Sequence, residues 1–299
     1  LQYRRGGLRD ESCIKKKILY CMRDAAAEAA VSVGVALHSL VVPGGMSMRF
    51  ADTATCVADE AKPLVVFLHG WPESWFSWRH QLKAVKAAGY RGVAPDMRGY
   101  GSSLPFPLDE SAQYLLSTRT DDVLSLMDHL GAERAALVAH DHGAHTAWSI
   151  VRIAPERFSC YTALSVPITA AASKPPLVYL RSLFGDESKP EEDPAFMYQL
   201  HHCLPSAAAS YGQNTRAALR SLFADRASMR GAAPPLVDSP SLYVDGVAEP
   251  LWKRTKQPAG PPSWMSADEF AYFVHEYERS GWAGGLQWYA VQVRPSSPS

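Results

Sequence analysis

One five-residue stretch, Ala139-His140-Asp141-His142-Gly143, constrains this chain more than any other part of it. It follows the apolar run Ala135-Ala136-Leu137-Val138 and precedes apolar positions at helical spacing, Ala144, Ala147, Trp148 and Val151. A small residue on each side of a central reactive one is the spacing of a nucleophile elbow, where the chain passes from strand to helix so sharply that larger flanks clash. The central residue here is an aspartate. A carboxylate needs no proton removed before it attacks, and it suits displacement at a saturated carbon, leaving an ester between protein and substrate. The plain alternative is a polar residue in an ordinary strand-to-helix loop. The small flanks, and His69-Gly70-Trp71-Pro72 upstream, favour the elbow.

The rest of the chain alternates strands with helices. Leu37–Leu40 and Met46–Phe50 flank Pro43-Gly44-Gly45, the pattern of a hairpin turn. Leu64–Leu68 is a short, wholly apolar strand that runs into His69-Gly70. Trp75, Trp78, Leu82 and Val85 then recur at helical spacing until Gly89. Gly92-Val93-Ala94 leads into the glycine-rich loop Asp96–Gly101, where Asp96 and Arg98 are expected to organise the core. Thr118 and Asp121 predict the start of a helix carrying Val123, Met127 and Leu130, closed by Gly131. Tyr161–Val166 reads as another buried strand. This alternation predicts an α/β fold with a mostly parallel sheet covered on both faces.

After Pro167 the strand rhythm stops and prolines accumulate. Tyr198–Leu204 and Thr215–Phe223 read as helices, and Ser266 with Glu269 caps an amphipathic helix through Phe270, Phe273, Val274 and Tyr277 that Gly281 ends. The expected organisation is a loosely attached leader over 1–35, an α/β core over 36–167, a helical lid over 168–290 and a tail over 291–299.

Composition narrows the function classes. Thirty basic and thirty acidic residues balance to zero net charge, which leaves no electrostatic footprint for nucleic acid. No apolar run approaches the length of a membrane span. Five cysteines, Cys13, Cys21, Cys56, Cys160 and Cys203, lack metal-ligand spacing and point to reduced thiols in a cytoplasmic setting. His140, His142 and His145 crowd the elbow, but no acid or cysteine set completes a metal site, so no metal or cofactor is expected.

With the elbow, the His-Gly-Trp-Pro loop and the helical insertion in place, the chain resembles the α/β-hydrolase superfamily and, within it, the soluble epoxide hydrolases. The matching stretches are His69–Trp75, Asp96–Gly101, His140–Gly143, Tyr198-Gln199-Leu200 and Leu286-Gln287-Trp288-Tyr289. The resemblance implies Asp141 as nucleophile, the backbone N–H groups of Trp71 and His142 as oxyanion hole, and His69, Gly70 and Pro72 as supports of that loop. It also implies that Tyr198 and Tyr289 hydrogen-bond the epoxide oxygen, and that the partner is a small apolar epoxide in a mainly apolar pocket.

Two departures stand out. His142 replaces the tryptophan usual after the nucleophile, which alters pocket shape while leaving a backbone donor in place. The family pattern also continues past the lid into two strands whose loops deliver an acid and a histidine. Here no histidine follows His275, which falls within the lid's helical pattern, and the sequence ends at Ser299. The expectation is a core lacking its last strands, which forms the ester without efficient turnover and self-associates through a sheet edge at Tyr161–Val166. Two competing readings share these motifs. One is a haloalkane or haloacid dehalogenase, although Trp71 and His142 do not supply the usual halide-holding pair. The other is a non-catalytic truncated product or binding module.

Overall fold

In a computed structural model of the protein, the alternating pattern becomes a six-stranded sheet with helices around it. The structure describes residues 25–291, apart from 106, 108–109, 169–175, 190–193, 196, 225–242, 245–246, 249–250, 255–257 and 259. The first part of the expected leader and nearly all of the tail therefore lie outside the described residues.

The strands are β1 (Ala36–Val41), β2 (Ser47–Asp52), β3 (Leu64–Leu68), β4 (Arg91–Pro95), β5 (Ala135–His140) and β6 (Phe158–Leu164). They lie in the order β1-β2-β4-β3-β5-β6. The last four are mutually parallel, and the β1–β2 hairpin joins β4 antiparallel. The hairpin turns at Gly44 and Gly45, whose φ angles of 85° and 82° suit residues without a Cβ. β3 and β4 are buried along their whole length because helices cover both faces of the sheet there.

Four helices pack on this core: α1 (Ala25–Val33), α2 (Arg79–Ala87), α3 (Leu116–His129) and α4 (His142–Ile153). Three readings of the sequence need correction. The described part of the expected leader is not loose: Ala26, Ala29, Ala30 and Val33, one face of α1, are buried in the core. α3 begins at Leu116, before Thr118, because the 3₁₀ turn Ser111–Tyr114 already feeds the chain into the helix, so the Thr118/Asp121 spacing falls inside it. β6 starts three residues earlier than expected and is largely exposed rather than buried, since among the described residues it is an outer strand of the sheet.

Most of the described residues after β6 are helical, including α5 (Pro176–Phe184), α6 (Tyr198–His202), α7 (Ala207–Gly212), α8 (Thr215–Leu222), α9 (Ala267–Ser280) and α10 (Ala283–Ala290). It also holds one short hairpin, Tyr243–Val244 with Val247–Ala248, that the sequence pattern did not announce. α9 has the expected capping box, with Ser266 and Glu269 each satisfying the other's backbone N–H.

Specific bonds attach the segment to the core. Trp75 Nε1 donates to Tyr272 Oη at 2.9 Å, Arg79 Nε to Glu269 at 2.5 Å, and Trp288 Nε1 to the Arg98 carbonyl at 2.8 Å. Arg49 bridges the two parts, paired with Asp96 of the core and Glu276 of α9. Asp96 and Arg98 hold the core loop: Asp96 accepts the Trp75 N–H, and Arg98 pairs bidentately with buried Asp122. Among the described residues, no helix is long and apolar enough to cross a membrane.

Candidate active site

Asp141 sits between the last residue of β5 and the first of α4 at φ 49° and ψ −122°, left-handed backbone that a non-glycine residue adopts only under strain. The flanks show why small residues are needed. A Cβ on Gly143 would lie 2.4 Å from the Leu68 carbonyl oxygen, and one on Gly70 would lie 2.4 Å from Asp141 Cβ. The bend therefore needs a residue without a Cβ at Gly143, as the pentad spacing predicts, and the facing loop needs one at Gly70.

The carboxylate is half-buried and anchored on one side. Its Oδ1 accepts the Trp71 backbone N–H at 3.0 Å. The His142 N–H opens α4 and has no acceptor within that helix, so the positive end of the helix lies beside the same carboxylate. Oδ2 receives no hydrogen bond from the described residues. The loop that carries Trp71 is braced from below. Fully buried His69 donates from Nδ1 to the Gly70 carbonyl at 2.8 Å and accepts the Met97 N–H at Nε2 at 2.9 Å. Burial lowers its pKa, which suits a neutral ring with one donor and one acceptor. Pro72 is buried in the same loop.

The structure brings both predicted tyrosines to this point. Tyr198 opens α6 and Tyr289 lies in α10, yet their ring centroids are 6.4 Å apart. Tyr289 is 3% exposed and Tyr198 41% exposed. Burial raises the pKa of each phenol and the negative charge of Asp141 raises it further, so both are protonated donors near neutral pH. The Tyr289 ring lies 4.5 Å from His142 and 5.8 Å from Trp71.

The three elbow histidines diverge. His140 Nδ1 faces Glu73 Oε2 at 3.2 Å, and that hydrogen bond raises its pKa. His142 is buried against Trp288 and Tyr289, and burial pushes its pKa down to about 4. His145 is exposed. His275 lies in α9 with its side chain at the surface.

Sequence reasoning missed three neighbours of this site. Glu73 accepts the Gly70 N–H at 2.9 Å while facing His140, and its place directly after Pro72 was the available signal. His202 packs on both tyrosines, and its spacing of one helical turn from Tyr198 could have revealed it. Arg119 had no such signal. Its buried guanidinium lies 4.1 Å over the Trp288 ring and donates to Thr146, whose hydroxyl donates to the His142 carbonyl. Burial lowers the Arg119 pKa to about 10, and the group remains a cation close behind the elbow.

Comparison with known proteins identifies the family. Residues 63–226 match the alpha/beta hydrolase fold family. The chain is 34% identical over 266 residues to epoxide hydrolase A of Mycobacterium tuberculosis (strain ATCC 25618 / H37Rv), an alignment covering 86% of this chain and 74% of that one. It is 29% identical over 258 residues to epoxide hydrolase 2 of Siraitia grosvenorii, covering 84% and 71%. Among solved structures, epoxide hydrolase A from Mycobacterium thermoresistibile superposes with a TM-score of 0.70 at 30% identity, covering 86% of this chain and 75% of that one. An epoxide hydrolase from an endophytic Streptomyces gives 0.72 at 30% identity, covering 87% and 72%.

Proposed function

Because this chain belongs to the α/β-hydrolase fold family and is an epoxide hydrolase-type hydrolase, we propose that Asp141 is the nucleophile that opens the epoxide ring. The observation that carries this reading is a single arrangement. A carboxylate at a strained bend has one oxygen held by the Trp71 N–H, and two protonated phenols stand together within its electrostatic reach.

In the first step Oδ2 attacks a ring carbon from behind, and the bond from that carbon to the epoxide oxygen breaks. The electron pair moves to that oxygen, which takes a hydrogen bond and then a proton from the Tyr198 and Tyr289 pair. The product is an aspartyl ester of a hydroxyalkyl group. Oδ1 becomes the ester carbonyl oxygen, already seated against the Trp71 N–H with the His142 N–H beside it. When water adds to the ester carbon, negative charge builds on Oδ1, where two backbone donors stabilise it. Collapse expels the diol's second oxygen, which takes one proton of the water, while the other proton restores the phenol and leaves Asp141 as a carboxylate, so the net reaction adds one water to one epoxide.

The second step needs a base for that water. The described histidines offer poor candidates. His142 is buried on the nucleophile's own turn, His275 faces solvent on α9, and His140 is bonded to Glu73. With the described residues alone, ester formation is expected to outrun its hydrolysis. The helical segment 168–290 serves as the lid that carries the phenols. The free thiols of Cys56, Cys160 and Cys203 fit a reducing, cytoplasmic setting. The exposed outer strand β6 presents backbone groups suited to self-association.

Mass spectrometry of the chain after exposure to styrene oxide tests the chemistry. One epoxide mass on the peptide containing Asp141, absent in Asp141→Ala, is the expected result. Labelling elsewhere, or diol formation that survives Asp141→Ala, would overturn the assignment. Sustained diol release that depends on Asp141 would retain the nucleophile and refute accumulation.

A further inference from the structure

Around Tyr289 the lid holds polar groups that ring opening does not use. His202 is 2% exposed and lies one helical turn after Tyr198 on α6. Its ring centroid is 4.2 Å from that of Trp71, 4.5 Å from Tyr289 and 5.5 Å from Tyr198. One of its nitrogens is occupied: Nε2 is 2.8 Å from the hydroxyl of fully buried Tyr211. The other, Nδ1, is buried and makes no hydrogen bond with the described residues, and the same holds for Nε1 of Trp71.

The position of the His202 proton follows from counting buried groups. Burial, with His201 and His142 nearby, holds the ring well below the usual histidine range, so it is neutral and has one proton and one lone pair. If Nε2 kept the proton, the Tyr211 hydrogen would lack an acceptor and the Nδ1 lone pair would lack a donor. If Tyr211 donates to Nε2 instead, only an Nδ1–H is left over. The second arrangement strands fewer buried polar groups, and burying unpaired groups is costly. The result is two N–H donors, on His202 and Trp71, in rings that both pack against Tyr289.

We propose that His202 Nδ1–H and Trp71 Nε1–H form a subsite for an oxygen atom carried on the substrate beside its epoxide ring. The preferred substrates are then epoxides with an ether, carbonyl or hydroxyl oxygen one or two bonds from the ring, rather than hydrocarbon epoxides of the same shape. This inference rests on the roles proposed above for Asp141 and Tyr289. Tyr289 holds the epoxide oxygen in that reading, and the two donor rings lie 4.5 and 5.8 Å from its ring, near enough to reach a substituent next to the epoxide. A site with buried donors discriminates against an analogue that leaves them unpaired.

Glycidyl methyl ether and 1,2-epoxypentane differ by one oxygen in place of a methylene, so they isolate the contact. The measurement is the rate at which each labels Asp141, followed by mass spectrometry, in wild type and in His202→Phe. The ratio of the two rates is expected to be about tenfold higher in wild type than in His202→Phe, a hydrogen bond's worth of discrimination. Comparing the two proteins cancels the intrinsic reactivity of the epoxides. His202→Asn, whose side-chain amide can reach the Nδ1 position, is expected to keep the ratio within about threefold of wild type, and Trp71→Phe to lower it severalfold. Equal ratios in wild type and His202→Phe, or a parallel loss of both rates in every variant, would overturn the subsite and leave the nucleophile standing. Should neither epoxide label Asp141, the reaction itself falls and takes the subsite with it.

Discussion

The α/β core and the helical lid reach their order by different means. In the core, apolar strands and paired charges do the work: β3 and β4 are buried throughout, and Arg98–Asp122 and Arg91–Asp52 are bidentate ion pairs closed off from water. The helices after β6 are held by packed aromatic rings. Trp71, His202, Tyr211, Trp282, Tyr277 and Tyr289 form a continuous aromatic cluster. The parallel sheet ends in the strained bend at Asp141, between β5 and α4. The proposed catalytic groups divide along the same line, with the carboxylate at the end of a sheet strand and the phenols on the helices after β6.

The seam between the two parts gives the sharpest test of that division. Arg49 is buried between Asp96 and Glu276, so Glu276→Gln leaves its cation half compensated and is expected to cost about 3 kcal/mol by chemical denaturation. The exposed pair of Arg157 with Asp128, where the acid side chain is 65% exposed, is the control. Asp128→Asn should change stability by no more than about 0.5 kcal/mol. Similar losses in both variants would mean that the seam is no more than a surface contact.

Next come the two phenols, which differ in burial within one lid. Tyr289→Phe is expected to slow labelling of Asp141 about 100-fold, because the oxygen would then leave without a buried donor. Tyr198→Phe, at a partly exposed position where water can substitute, should slow it about tenfold. The reverse order would place the epoxide oxygen on the solvent side of the pair.

A smaller effect should appear with pH. His142 of the core and His202 of the lid are both held neutral by burial, His142 with a pKa of about 4 against about 6.5 when unfolded. As pH falls from about 6.5 towards 4, the unfolded chain binds protons that the folded chain refuses, so the melting temperature must fall. His142→Phe should flatten that acid limb by on the order of 2 kcal/mol. His140 runs the opposite way. Its pKa is raised by Glu73, so its contribution is full below about 6.5 and is lost as pH climbs through the raised value. An acid limb unchanged in His142→Phe would show that its ring is hydrated.

The smallest expected effect belongs to a lid glycine. Gly212, exposed at the end of α7, has nothing within 4 Å of an added Cβ. Gly212→Ala should stabilise the fold by about 0.5 kcal/mol through the unfolded state. A loss instead would mean that the lid needs backbone freedom there.

Much of the core was legible because its signals are local. An apolar run, a glycine at a turn and a small-x-Asp-x-small pentad act over a few residues, and β1 to β5 and α4 stand where the pattern places them. The start of α3 was misread because a 3₁₀ turn upstream, not a capping side chain, sets it. The burial of β6 was misread because exposure depends on what lies next to a strand, which no residue of the strand encodes. In the site, Tyr198 and Tyr289 were found through flanking motifs, whereas Arg119 behind the elbow left no trace in the spacing.

The sequence by itself marked where the bend falls, since only small flanks satisfy the steric limits of a strand running straight into a helix. Tertiary structure alone decided which groups meet that carboxylate. Tyr198, His202, Trp71 and Tyr289 come from widely separated parts of the chain and become neighbours only when lid helices close on the sheet. Local sterics act between adjacent residues and can be read along the chain. Burial, tautomer and hydrogen-bond pairing are properties of the folded neighbourhood, and they exist only once distant segments share it.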